Sequence, residues 1–309
     1  MERLKKTFAG EETDRVPYSI YMHSTVHDRG VEKFTSYTLN FYQTYNPDYI
    51  KVMYDEVYDT PVNYQYCIDS TVWKLLEEFD PHTGAFGRYL ESLKRIKDMA
   101  GKDTPVIATI FSPIHLAVRL AWKRLVLDLR EDPTAVIPGI ETLTRNQVAF
   151  VQCAIQEAGI DGFFYAAYGC ESDWLTKDEY IKYAMPYDLT VLNFMKGIDF
   201  IIVHIHGERD SYFDLLMNYP CNALSWEDRL AGPSIYEAKK KTNKCLVGGI
   251  NHYQAKVSTA AEVYQEAVDA IKQAGSRSFV LAPGCTFLPD TPFENLMALK
   301  KASEDMKKI

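Results

Sequence analysis

The chain has 309 residues, 47% apolar and 25% charged, with a formal net charge of −8. That composition fills one large core and leaves no tract for disorder, and the acidic balance argues against a nucleic-acid partner. No run approaches the ~18–20 apolar residues of a membrane span, and Met1-Glu2-Arg3-Leu4-Lys5-Lys6 lacks the apolar core of a secretory signal, so a cytoplasmic protein is expected.

Eight short runs, apolar on both faces and rich in β-branched or aromatic residues, are predicted as strands. In chain order they cover 16–23, 49–54, 106–112, 162–168, 200–207, 223–228, 245–251 and 278–284. Residues 55–102 are longer than one helix needs and are expected to add helices over the mouth of the fold. A helix is predicted over 134–158 behind Pro133, with Pro138 as an alternative first turn. Another is predicted over 258–274, opened by Ser258 and Thr259 and closed by Gly275, and a last over 292–308, opened by Pro292 with lysines late. Eight strand–helix units without a linker between them read as one α/β domain over 1–309, a single (β/α)8 TIM barrel with extra helices over its mouth. The six cysteines, Cys67, Cys153, Cys170, Cys221, Cys245 and Cys285, form no CxxC pair and are expected mostly as buried thiols.

Chemistry in such barrels gathers at the C-terminal ends of the strands. There the sequence offers His23, Tyr54 with Asp55, Ser112, Tyr168 with Glu171 and Asp173, and His204 with His206. Further along stand Trp226 with Glu227, Asn251 with His252, and Cys285. Ser112, Glu227 and Asp55 read as ordinary polar loop starts. The His-x-His is different. Residues two apart share one face of a strand, so His204 and His206 project together, and buried imidazoles need partners. A cysteine from a neighbouring strand end would complete three protein ligands with one open position, the catalytic pattern for zinc.

Several segments match a known family. Glu11-Glu12-Thr13-Asp14-Arg15-Val16-Pro17, Asn46-Pro47-Asp48-Tyr49-Ile50-Lys51-Val52, KDEYIKYAMPY within 175–187 and Gly248-Gly249-Ile250-Asn251 are four of them. LAPGCTFLPDTPFENLMALKKA, over 281–302, is the most specific. Together they resemble the uroporphyrinogen decarboxylase superfamily, and within it the zinc-dependent, corrinoid-linked methyltransferases. The decarboxylases carry paired arginines after the first strand, and Tyr21-Met22-His23-Ser24-Thr25-Val26-His27-Asp28-Arg29-Gly30 lacks them. The methyltransferase branch carries a His-x-Cys on the fifth strand and a Cys after the eighth. His204, His206 and Cys285 stand at those positions, with His replacing the middle Cys.

The resemblance implies Zn2+ on these three residues and a corrinoid (cobalamin) carried by a partner protein. Two imidazoles and one thiolate would leave the centre at a net +1, where two thiolates would leave it neutral. The more positive zinc suits an ether oxygen over a thiol. The expected reaction is O-demethylation of a small methoxylated aromatic, whose phenolate leaving group has a pKa of about 10. The alternatives are methyl transfer from methylcobalamin to a thiol such as coenzyme M, a decarboxylase, and a non-catalytic zinc- or corrinoid-binding protein. For a flat substrate, Tyr21, His23, Tyr54, Tyr165, Tyr168, Trp226, Asn251 and His252 are the expected pocket residues. Glu171 and Asp173 are expected to orient a substrate hydroxyl or fill the fourth metal position, with Glu208 as a rival. His27, His82 and His115 receive no role, and the oligomeric state is left open.

Overall fold

The computed structural model describes residues 1–55 and 70–306. Seven parallel strands form one sheet: β1 (Ile50–Val52), β2 (Val106–Phe111), β3 (Gly162–Ala167), β4 (Phe200–Ile205), β5 (Ala223–Trp226), β6 (Cys245–Ile250) and β7 (Phe279–Pro283). Their spatial order follows their order in the chain, because each parallel neighbour is reached through a helical crossover.

Every strand is buried along its whole length, so only the period-2 alternation tells the two faces apart. One face carries Tyr49, Ile107, Phe164, Ile202, Val247 and Ala282, which belong to one apolar cluster. The residues between them, such as Val52, Tyr165, Val203, Trp226 and Leu281, join a larger cluster with the helices. The helix Glu2–Phe8 fills the end of the first cluster where the strands begin. Its Leu4 is buried there, and Phe8 meets Phe200 edge-on at 5.1 Å.

The predicted first strand, 16–23, does not form a ladder among the described residues. It makes isolated parallel bridges, Tyr18 to Leu281 and Met22 to Phe287, and the Asp48 N–H donates to Tyr18 O at 3.0 Å just ahead of β1. Pro17 has no N–H to give, and the Tyr18 N–H goes to the Asp48 carboxylate at 2.7 Å. The run therefore lies between β7 and the approach to β1 without full pairing to either.

The helix Pro133–Gln156 starts where Asp132 accepts the Ala135 N–H, so Pro138 lies inside it and does not open it. Thr259 and Glu262 form a reciprocal capping box on Ala260–Ala274, and Gly275 ends it. The last helix covers Phe293–Asp305. Within 55–102 the described elements are a 3-10 turn, Ser70–Leu75, and the helix Gly84–Ala100. That helix packs alongside the sheet: its Tyr89 hydroxyl donates to Thr109 O at 3.0 Å. Residues 56–69, the rest of the expected mouth insertion, lie outside the described residues, as does Cys67. The other five cysteines are free thiols. On the helix-facing side, Tyr165, Tyr180 and Tyr219 donate to the buried Asp188 carboxyl at 2.6, 2.6 and 3.0 Å.

Candidate metal centre and its cavity

Three strand ends converge. His204 lies near the end of β4, opposite Ser225 of β5 in the parallel register, and its Nδ1 is 3.2 Å from the Ser225 hydroxyl. Glu227 follows β5 directly, and its Oε2 accepts the Gly207 N–H at 2.7 Å. Cys285 lies two residues beyond β7. The intervening Gly284 allows close approach, since a Cβ there would stand 3.0 Å from Glu227 Cα. The ligand atoms of His204, Glu227 and Cys285 all lie within 4.8 Å of one another.

His204 Nε2 is buried without a hydrogen-bond partner, and so is His206 Nδ1. Buried polar atoms are rarely left so. An imidazole, a carboxylate and a thiol around such an atom form a donor set that suits zinc. Burial pulls the His204 imidazole well below its ordinary pKa, with His206 and Lys51 adding to the effect. The ring is thus in the neutral form that a metal requires. Burial pushes the Glu227 carboxyl up to about 8 against the pull of His206, and burial also raises the Cys285 thiol.

His206 is not in the tight trio. Its ring lies 5.8 Å from that of His204 and perpendicular to it, against Tyr168 at 4.8 Å. Glu227, which the sequence presents as an ordinary loop start, takes the third place. This alters the charge argument, because a divalent ion held by this trio would meet two negative charges once Glu227 and Cys285 gave up their protons to bind it.

His204, His206 and Cys285 line a cavity of about 490 Å³ with Phe111, Phe164 and His115, a size suited to a small ligand. Tyr21 and His23 also line it. The Tyr21 hydroxyl is tied to Pro283 O at 2.8 Å. The His23 ring bridges Asp55 at 3.0 Å and Thr286 at 2.8 Å. His252 is buried, and burial pulls it down to about 4.

Other expected pocket residues lie elsewhere. Tyr54 stacks on Tyr89 at 4.5 Å, Tyr165 binds Asp188, and the Trp226 indole donates to Pro233 O at 2.9 Å. All three share the parity of the helix-facing residues. The Asn251 side-chain oxygen, Oδ1, closes a turn by accepting the Tyr253 and Gln254 N–H groups. Glu171 accepts the Glu208 and Arg209 N–H groups at 3.0 and 3.4 Å, which fixes the loop after His206. Asp173 is exposed, and Glu208 accepts the Tyr253 hydroxyl at 2.6 Å. Four residues without an assigned role, His27, His115, Lys51 and Arg119, line the cavity. For Lys51 the signal was available: it shares the parity of Tyr49, on the face that bears His204.

A parallel α/β sheet with a metal-type cluster at its strand C-termini defines a class, and the chain's place within it follows from comparison. The chain belongs to the uroporphyrinogen decarboxylase (URO-D) family, whose pattern matches residues 50–306. It is 22% identical over 237 residues to the methylcobamide:CoM methyltransferase MtbA of Methanosarcina acetivorans, covering 75% of this chain and 67% of that protein. It is 24% identical over 229 residues to the methylcobamide:CoM methyltransferase MtaA of Methanosarcina barkeri, covering 70% and 62%. It thus spans about two-thirds of their length. A solved methyltransferase from Methanosarcina mazei superposes with a TM-score of 0.84 at 18% identity, covering 99% of this chain and 98% of that one. A B12-independent methionine synthase from Shewanella sp. W3-18-1 gives a TM-score of 0.62 at 12% identity, covering 96% and 95%, and shares the fold.

Proposed function

We propose that the chain is a zinc-dependent methyltransferase that moves a methyl group from a methoxylated aromatic to the cobalt of a corrinoid carried by a partner protein. The observation that carries its metal-dependent part is the buried His204 ring, whose Nε2 is unpartnered and which offers a nitrogen within 4.8 Å of ligand atoms of Glu227 and Cys285, on the wall of a ring-sized cavity. The names of the curated relatives, methylcobamide:CoM methyltransferases, support methyl exchange with a corrinoid. We further read the 16–23 run as the stave that completes a (β/α)8 barrel, a single catalytic domain working in the cytoplasm.

Zinc held by His204, Glu227 and Cys285 would supply a Lewis acid for the substrate heteroatom. The other roles fall to the chain. Ser225 fixes the His204 ring, and the Gly207 N–H fixes Glu227. Phe111 and Phe164 give the cavity an aromatic wall. A corrinoid would approach from the strand C-termini, because the helix Glu2–Phe8 packs into the opposite end.

A second reading reverses the direction, from a methylated corrinoid to a thiol such as coenzyme M. Glu227 favours it, because two anionic ligands offset the metal charge as two thiolates would. The test has two arms on zinc-loaded protein. One follows the cobalt(I) to methylcobalt(III) spectrum with methoxylated phenols, and the other follows methylcobalamin loss with coenzyme M. Transfer in the second arm alone replaces the first reading, and full transfer by zinc-stripped protein removes both.

A further inference from the structure

Lys51 stands in the same cavity as His204 and Cys285. The residue is 9% exposed, yet no carboxylate of the described residues lies within 4.0 Å of its nitrogen. The ammonium rests 4.2 Å from the Phe164 ring centre, 4.5 Å from that of Tyr21 and 3.0 Å from the Met53 sulfur. None of these groups is charged; the acidic groups whose field reaches the ammonium are Cys285, which belongs to the candidate metal cluster, and Asp55. Asp55, the carboxylate that lines this cavity, is taken by His23. Arg119 lies in the same cavity, its guanidinium 4.7 Å from the Phe111 ring centre and bonded to the Asp55 backbone carbonyl. Ring faces attract cations, but they leave the ammonium's three N–H donors without a strong acceptor. A buried charge held this way is incomplete until an anion meets it.

We propose that Lys51, with Arg119 on the wall of the same cavity, forms an anion subsite, and that the molecule bound in this cavity carries a carboxylate or sulfonate head group. The inference deepens the proposed function by naming its substrate class. Burial lowers Lys51 only to about 8, so it remains charged at neutral pH.

The test measures binding by calorimetry to zinc-loaded wild type, Lys51→Met and Lys51→Arg, without corrinoid. Two probe pairs match in shape and differ in charge: 4-methoxybenzoate with 4-methoxybenzamide, and 2-mercaptoethanesulfonate with 2-mercaptoethanesulfonamide. Wild type should prefer the anionic member of at least one pair by about tenfold or more, the worth of a charge-assisted hydrogen bond. The preference should vanish in Lys51→Met and survive in Lys51→Arg, at unchanged zinc content. The pair that responds identifies the head group. Equal binding of charged and neutral members by wild type overturns the proposal, as does a preference retained in Lys51→Met. A wild type that shows the preference but transfers no methyl sinks the function and leaves the subsite standing. Methyl transfer without charge preference does the reverse.

Discussion

Lys51→Met should stabilise the metal-free protein, and the size of the gain follows from the residue's surroundings. Burial lowers the ammonium pKa from 10.5 to about 8, a displacement worth about 3 kcal/mol against the folded state. The ring faces of Phe164 and Tyr21 return roughly 0.5–1 kcal/mol each, so the net gain at pH 7 should be about 1–2 kcal/mol. Methionine has nearly the length of lysine and fills the same slot. The sign is set by proton counts. Between pH 8 and 10.5 the folded chain binds fewer protons at this site than the unfolded chain, so wild-type stability rises through that window. The advantage of the variant should therefore be full below pH 8 and fade by pH 10.5. Urea unfolding of both proteins at pH 7, 9 and 10.5 measures it, and taking the difference cancels titrations common to both. A variant less stable than wild type at pH 7, or a gap that ignores pH, would refute the reasoning.

Further expectations concern the metal centre and the core. His204→Ala and Cys285→Ala should each lose bound zinc, and Glu227→Ala should lose more than His206→Ala. Metal analysis after dialysis decides the order, and the reverse ranking would return His206 to the tight cluster. Gly284→Ala would set a Cβ 3.0 Å from Glu227 Cα and 3.2 Å from Trp226 O. It should cost about 1–3 kcal/mol in folding stability and weaken zinc binding, read by chelator competition. Burial raises Asp188 to about 6 from 3.8, so its ionised form opposes folding by roughly 3 kcal/mol above pH 6. Relative to Asp188→Asn, wild type should gain stability as pH falls from 6 to 4, and a flat difference in melting temperature would count against it.

Strand positions were readable because a buried parallel strand is a compact apolar run, and seven of the eight predicted runs match strands of the sheet. The eighth, 16–23, has the right composition but loses its pairing to Pro17 and the Asp48 carboxylate, and neither effect leaves a mark in hydrophobicity. His204 and Cys285 stand out because such residues are rare inside apolar segments. Glu227 does not, since a carboxylate after a strand looks like any loop start until two other strand ends close on it. Tyr165 and Trp226 show what parity alone could have decided. Each is one residue out of step with the face that carries His204, so each was bound to meet helices rather than a ligand. Lys51 was legible by half: its parity with Tyr49 puts it on the face that bears His204, but only the fold shows the rings around it.

The helix Glu2–Phe8 has a kinetic corollary. It is anchored by the Met1 amino group on Asp103 O at 2.6 Å and by Lys5 on Asp199, with Leu4 and Phe8 set among the apolar residues of the strand beginnings. Small molecule and protein-bound corrinoid are then left to share the entrance at the strand C-termini. A docked carrier would cover that entrance, so on the proposed function turnover should be strictly ordered, with the small molecule first in. Excess carrier should then inhibit, and preloading the cavity should relieve the inhibition.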